Sequence, residues 1–361
     1  MKYAIVQLLK DAVDGYVSGG ELGRRFDVSR AAVWKYIEEL RKEGYNIEAT
    51  SGKGYRLLPS EDRLNAYEIA CELNTSIIGR DVQYFDLLDS TNNYARKLAA
   101  EGCNDGMSVV TGQQTAGRGR LGRSWDSPAE KGIYMSVVLR PPLAPAESQI
   151  LTLAAAVATA NAIRETTGIN VGIKWPNDLI IEGSKVCGIL LEMVSEADRV
   201  NYIILGIGIN YSQNREDFTE ELKDRAISLK MAAESRKTTV EKGEAMSGSE
   251  ISTLRQTAAN EVEYAGKAEK IGCSRLTIVR SVLRELDAMF QLVLTYNNAR
   301  VLEMWKKISV TLGREVRFRL KDDEHTGTAV DITPDGRLLV VCSDGAQREL
   351  LSGEVSVSGI L

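Results

Sequence analysis

Residues 117–128 read Gly117-Arg118-Gly119-Arg120-Leu121-Gly122-Arg123-Ser124-Trp125-Asp126-Ser127-Pro128. Arginines alternate with glycines, so a pliant backbone carries a dense load of fixed positive charge. Glycine lets main-chain N–H groups approach a ligand closely. Arginine supplies a planar fork of donors suited to phosphate oxygens. The run predicts a loop that closes over a polyanion. Taken alone, it could also be a solvated Gly-Arg linker that binds nucleic acid.

The rest of the chain argues against the linker. With 45 Lys and Arg against 50 Asp and Glu, the net charge is −5. The molecule is therefore no polybasic coat, and any DNA contact must come from a local patch. The 361 residues suffice for two or three domains with a real core. No apolar run approaches the ~18 residues of a membrane span. The N-terminus lacks the apolar core and cleavage site of a signal peptide. Cys71, Cys103, Cys187, Cys273 and Cys342 are far apart and form no CxxC pair. They predict reduced, mostly buried thiols in a cytoplasmic protein, with no zinc site and no protein-held metal. One histidine, His325, stands in the polar stretch Asp322–Thr326, where an exposed turn is expected. Ser-His and Cys-His mechanisms are thereby excluded from the central region. Charge stabilisation, lysine and carboxylate are the tools that remain.

Outward from the Gly-Arg run, three modules follow from the pattern. Residues 1–60 predict a winged helix-turn-helix. Ile5, Leu8 and Leu9 recur at helical spacing, and Glu21–Phe26 gives a short second helix. Ser29 is a good N-cap for a third. There Val33, Ile37 and Leu40 form one buried stripe, with Arg30, Lys35, Arg41 and Lys42 off it. Residues 47–50 and 55–58 flank the turn Gly52-Lys53-Gly54 as a basic wing. Ser29, Arg30, Lys35 and Lys53 are the candidate DNA contacts. A protein-docking winged helix is the alternative; ten basic and eight acidic residues in 1–58 leave only a small charge bias.

Residues 61–311 predict an α+β domain with a largely antiparallel or mixed sheet. Helical stretches near 63–73, 91–101 and 147–167 alternate irregularly with strand-like runs at 82–87, 108–111, 133–139, 171–174, 179–181, 185–194 and 200–210. Glu182-Gly183-Ser184 suits a hairpin turn. Residues 213–274 carry few large apolar side chains, and their centre, Glu234–Ser252, is expected to be mobile. Leu276, Val279, Leu283, Leu286, Met289, Phe290 and Val293 then mark a core helix. Residues 312–361 alternate cleanly at Val316, Phe318 and Leu320 and predict a small all-β barrel.

Four constellations in the central module carry chemistry. Asp89-Ser90-Thr91-Asn92 lies at a strand-to-helix junction, where hydroxyls and helix N–H groups can hold a polar head group. Gln114-Thr115-Ala116 runs into the Gly-Arg loop. The others are Lys174-Trp175-Pro176-Asn177-Asp178, and Lys185-Val186-Cys187-Gly188-Ile189-Leu190-Leu191-Glu192 followed by Gly206-Ile207-Gly208-Ile209-Asn210. Each has a bland alternative: Ser90 as a helix cap, Trp125 and Trp175 as core aromatics, Gly206 and Gly208 as aids to strand packing.

In this order, however, the GRGRLGRSW, KWPND and KxxGILxE strings resemble the biotin protein ligases, particularly the bifunctional ligases that double as biotin-operon repressors. The resemblance covers almost the whole chain and fails over about 213–274, where an insertion is expected. It implies a class II synthetase-like mixed-sheet catalytic domain and a C-terminal SH3-like barrel. It implies activation of biotin with MgATP to biotinyl-5′-AMP, then transfer to one lysine of a biotin carboxyl carrier domain. A second role on operator DNA, and a homodimer when adenylate is bound, come with it.

By motif match, Ser90, Thr91, Asn92 and Gln114 would hold biotin, with Gly117, Gly188, Gly206 and Gly208 lining the pocket. Arg118, Arg120 and Lys185 would touch both biotin and nucleotide. Arg123, Trp125, Asn177 and Asn210 would complete the ATP and adenylate site. Lys185, Arg118, Arg120 and Asp178 would be catalytic. The chemistry is consistent: two anions, a carboxylate and an α-phosphate, approach each other only beside fixed cations. Each charge-assisted hydrogen bond contributes about 1.5–3 kcal/mol. Deprotonating the acceptor lysine at neutral pH costs about 4.6 kcal/mol, and Asp178 is placed to orient that amine or take its proton. Two other functions remain open: a ligand-sensing regulator with a decayed site, and a ligase for lipoate or octanoate.

Overall fold

A computed structural model describes residues 1–12, 15–58, 64–243, 273–320, 323–351 and 355–360, with side chains described except at 237–243. They divide into two compact units, Met1–Arg63 and Leu64–Leu361.

In the first unit, helix α1 (Lys2–Asp11) buries Ile5, Val6 and Leu9. Ser18 caps α2 (Gly19–Phe26) by accepting from Glu21 N at 3.1 Å, and Asp27 ends it in the left-handed region at φ 53°. Ser29 caps α3 (Arg30–Lys42) in the same way, accepting from Ala32 N at 3.2 Å. Val33, Ile37 and Leu40 form the predicted buried stripe of α3. Strands β1 (Ile47–Thr50) and β2 (Gly54–Leu57) pair antiparallel as the wing, and Val17 bridges to Tyr55. Arg30, Lys35 and Lys53 are exposed. Arg41 is turned inward: its guanidinium donates to Ile47 O at 3.0 and 2.6 Å and to Glu38 Oε1 at 2.7 Å. It holds helix to wing and is not a free surface cation.

The second unit begins with α4 (Ala66–Ala70), β3 (Val82–Phe85), α5 (Thr91–Ala100), β4 (Ser108–Thr111), β5 (Gly132–Leu139) and α6 (Gln149–Thr167). Strands β6 (Gly172–Lys174), β7 (Asp178–Ile181), β8 (Ser184–Ser195) and β9 (Val200–Asn210) follow, then helices α7 (Leu229–Gly243), α8 (Arg275–Leu294) and α9 (Asn298–Ile308). Strands β3 to β9 form one mixed sheet of order β3-β4-β5-β9-β8-β7-β6, parallel only between β3 and β4. The β7–β8 turn is the predicted hairpin: Glu182 and Gly183 both have positive φ (49° and 86°), the backbone that matches strand twist in a two-residue turn.

Alternation along β9 gives the sheet two unlike faces. Ile203, Leu205, Ile207 and Ile209 point into the main core with α6 and α8. Helix α6, rich in alanine and apolar nearly all round, is buried along most of its length, as such a helix must be. On the other face, Ile204 packs with Val109, Val138 and the α5 residues Ala95 and Ala99. Beyond them, on that same face, stand Gly206 and Gly208, where the sheet is bare of side chains.

Strands β10 (Glu315–Leu320), β11 (Asp323–Ile332), β12 (Leu338–Cys342), β13 (Gln347–Leu350) and β14 (Ser356–Val357) form a second sheet of order β13-β12-β11-β10-β14. Trp175 ties it to the first. The side chain is 1% exposed, its Nε1 donates to Gly336 O at 3.2 Å, and its backbone N donates to Thr311 Oγ1 at 2.9 Å. Trp175 is thus a core aromatic. His325, expected in an exposed turn, sits instead in β11 opposite Phe318, with ring centroids 5.7 Å apart. Of the 213–274 segment, 213–243 and 273–274 are described; the rest of the expected mobile centre, from 244 on, lies outside the described residues.

Candidate active site

The bare patch of the sheet is the floor of a cavity of about 570 Å³. Register explains the floor. Gly188 on β8 lies opposite Gly208 on β9, and Gly206 follows two residues along on the same face. A Cβ on Gly208 would stand 2.5 Å from Trp125 Cε2 and Nε1, and one on Gly188 would stand 2.9 Å from Trp125 Cζ3. A Cβ on Gly206 would run into Asn92 Oδ1. Only glycine permits these approaches.

The Gly-Arg run closes on itself beside this floor. Arg118 bridges to Ser124, Gly119 N donates to Arg123 O at 2.7 Å, and Trp125 N donates to Gly117 O at 2.9 Å. Leu121 at the tip has φ 56°. The tight hairpin lays the Trp125 indole over Gly188 and Gly208, with a buried Nε1 that has no hydrogen-bond acceptor. Lys185 Nζ stands 5.5 Å from the centre of that ring.

A β-bulge aims Lys185. Leu179 pairs with Cys187 but Ile180 pairs with Lys185, so Val186 is the extra residue on β8. In a regular strand, residues three apart face opposite sides; the bulge reverses that parity. Lys185 therefore shares the cavity with Gly188, and its Nζ lies 2.6 Å from Asp178 Oδ1. Burial pushes the neighbouring Cys187 thiol up, so it stays neutral and takes no part as a nucleophile.

At the other end of the floor, Gln114 does the capping that Ser90 does not. Its Oε1 accepts from Thr91 N at 2.8 Å and Thr91 Oγ1 at 3.1 Å, while Nε2 donates to Ser127 Oγ at 2.9 Å. Ser90 makes no side-chain cap and is 1% exposed, lining the cavity. Arg120 donates to Asn177 Oδ1 at 2.8 Å, and Asn177 Nδ2 donates to Ile189 O at 2.7 Å. Asn210 Nδ2 reaches Ile227 O at 3.2 Å and Lys185 O at 3.4 Å, so Asn210 builds the wall. Arg118 pairs with Glu192 at 3.1 Å and donates to Asn93 Oδ1 at 3.0 Å.

Every ligase residue expected from the sequence lines this one cavity except Gly117, whose place is fixed by Trp125 N and by the crowding of Trp125 O. Three contributors had no expected role. Glu192 and Ser136 join the network beneath Asn92. The start of the 213–274 segment frames Lys185: Lys185 N donates to Arg225 O at 2.7 Å, and Ile227 N donates to Lys185 O at 3.0 Å. Asp217 and Phe218 line the cavity as well. A hydrogen bond from Lys131 holds the Asp217 carboxyl below the usual carboxylate range, so it remains ionised. The first part of the expected insertion, 213–228, thus belongs to the cavity wall. Its low apolar content reflects a pocket wall of backbone contacts. Among the described residues, no group of three or more His, Cys, Asp or Glu side chains could hold a metal ion.

A glycine floor ringed by arginines and a lysine is suited to holding anionic ligands. Comparison with known proteins agrees. Residues 84–210 match the biotin/lipoate A/B protein ligase family, residues 2–56 an HTH domain, and residues 311–358 the biotin protein ligase C terminal domain. The bifunctional ligase/repressor BirA of Bacillus subtilis is 36% identical over 95% of this chain and 95% of its own length. That of Escherichia coli is 29% identical over 94% and 92%. A structure of the Aquifex aeolicus biotin protein ligase in complex with biotin and ATP is similar with a TM-score of 0.55 and 27% identity, covering 77% of this chain and 98% of that one. The chain belongs to the family of bifunctional ligase/repressors.

Proposed function

We propose that the chain is an ATP-dependent biotin protein ligase that forms biotinyl-5′-AMP and passes biotin to a lysine of a biotin carboxyl carrier domain. One observation carries this reading: Arg118, Arg120 and Lys185 converge with the three floor glycines on a single cavity. Thr91, Gln114 and Asn92 would take the biotin head group, with Ser90 beside them. Lys185 and Arg120 would face the carboxylate and α-phosphate as they approach, offsetting their repulsion by about 1.5–3 kcal/mol per charged hydrogen bond. Trp125, already laid across Gly188 and Gly208, would shield the mixed anhydride from water. Arg123, Asn177 and Asn210 would complete the nucleotide side. Magnesium would enter as the ATP complex, neutralising phosphate charge without protein ligands of its own.

The same reading divides the chain into 1–60, 61–311 and 312–361, with a class II synthetase-like catalytic domain and an SH3-like C-terminal barrel. The first unit, with Ser29, Arg30, Lys35 and Lys53 toward operator DNA, would make the protein a biotin-responsive repressor that binds as an adenylate-loaded homodimer in the cytoplasm. No described helix is long and apolar enough to cross a membrane.

The test is biotin-dependent ATP–pyrophosphate exchange followed by labelling of a purified carrier domain with biotin or lipoate. Biotin incorporation alone supports the reading. Lipoate or octanoate incorporation in its place, or no exchange with a DNA complex retained, would replace it with one of the two other functions.

A further inference from the structure

Glu192 on β8 gathers three donors, two from α5 and one from the Gly-Arg loop. Its Oε2 accepts from Asn92 Nδ2 at 2.8 Å, and its Oε1 lies 2.8 Å from Arg96 and 3.1 Å from Arg118. The side chain is 18% exposed, whereas those of Arg96 and Arg118 are 41% and 43% exposed. A carboxylate can only accept. The Asn92 amide must therefore turn its NH₂ toward Glu192 and its oxygen toward the cavity floor, where it abuts Gly206.

That orientation runs onward. Asn92 Oδ1, an acceptor, lies 2.6 Å from Ser136 Oγ, so the Ser136 proton is committed to it. Ser136 Oγ lies 2.7 Å from Thr91 Oγ1, and the Thr91 hydroxyl is shared between Ser136 and Gln114. One carboxylate outside the floor thus sets the donor and acceptor directions of Asn92, which lines the cavity, and of Ser136 behind it. The same carboxylate tethers the first arginine of the Gly-Arg loop.

We infer that Glu192 is a positioning and specificity residue: it fixes the hydrogen-bond polarity of the head-group end of the cavity and couples that polarity to Arg118. This rests on the biotin ligase reading above. Arg118 is held at this end of the cavity by Glu192 and Asn93 together.

The experiment is calorimetric titration of the full-length chain with biotin alone, together with a thermal melt. Glu192→Gln keeps the shape, removes the charge and lets the Asn92 amide turn either way. Biotin affinity is expected to fall by about tenfold or more, as for a lost charge-assisted hydrogen bond. The double variant Asn92→Asp with Glu192→Gln reverses the donor and acceptor between the two residues. It leaves the acceptor toward Ser136 in place, and should recover most of the lost affinity. Binding by Glu192→Gln within about twofold of the unaltered chain, or a double variant no better than the single one, would overturn the inference. If Glu192→Gln melts far lower, the double variant decides alone. An unaltered chain that fails to bind biotin would overturn the ligase reading, and this inference with it.

Discussion

Lys185 Nζ lies 2.6 Å from Asp178 Oδ1 across the β7–β8 hairpin, on the cavity side of a bulge that exists to bring them together. Lys185 faces both Gly188 and the Trp125 ring, so it is a cation at the floor itself. Lys185→Ala should abolish adenylate formation in the pyrophosphate-exchange assay while the melt stays close to that of the parent. Near-normal exchange by a folded variant would remove Lys185 from the reaction.

Asp178 was expected to act on the acceptor lysine in the transfer step. Its pairing with Lys185 gives it a hand in the first step too. Asp178→Asn should slow both half-reactions, with transfer hit harder because the amine also loses its carboxylate. Single-turnover measurements of each step separate the two, and an unchanged adenylation rate would show that Lys185 holds its place unaided.

Gly208 leaves room for an indole. With its Cβ 2.5 Å from Trp125 Cε2 and Nε1, Gly208→Ala must expel Trp125 from the floor. The expected result is a KM for ATP raised about tenfold with little change in melting temperature. The decisive measurement is a double-mutant cycle: in a Trp125→Ala background, Gly208→Ala should cost little more. Full additivity would mean that the glycine serves the ligand directly.

The fold was legible where short-range pattern suffices. Ser29 caps α3, Val33, Ile37 and Leu40 face inward, and Glu182-Gly183 turns the hairpin, because caps, stripes and turns are local. The site residues were legible as strings, for the same reason that they are clustered in sequence. What was not legible depends on pairing across the chain. The bulge at Val186 is visible only once β7 sets the register of β8. Glu192 ended a recognised string, yet its partners Asn92, Arg96 and Arg118 lie far away in sequence. Residues 213–228 looked like insertion because backbone groups do their work there. Helix α9, with Val301, Leu302 and Trp305 buried, was overlooked between the stronger pattern of α8 and the strands that follow.

Asp287 on α8 staples the start of the second unit. Its two oxygens accept from the backbone N–H groups of Ser76, Ile77 and Ile78 at 2.8, 2.8 and 2.9 Å, and the residue is 7% exposed. Asp287→Ala would leave three donors without their acceptor. The loss should be about 3 kcal/mol, lowering Tm by several degrees. Exchange activity measured well below Tm should be retained. A Tm within one degree of the parent would mean that water replaces the carboxylate there.

In the first unit, charge and burial divide the cations into two kinds. Arg30, Lys35 and Lys53 are exposed, while Arg41 spends its guanidinium on Ile47 O and Glu38. A cation that neutralises a phosphate releases counterions, and its removal should lower the slope of log K against log salt by about 0.9. Lys53→Ala should therefore weaken operator binding, measured with biotin and ATP present, and flatten its salt dependence by about one unit. Arg41→Ala should behave differently. It unties α3 from β1, so the first unit should melt at lower temperature, with a salt slope close to that of the parent for whatever remains folded. A flattened slope in Arg41→Ala with an unchanged melt would place that guanidinium on DNA and reverse the assignment.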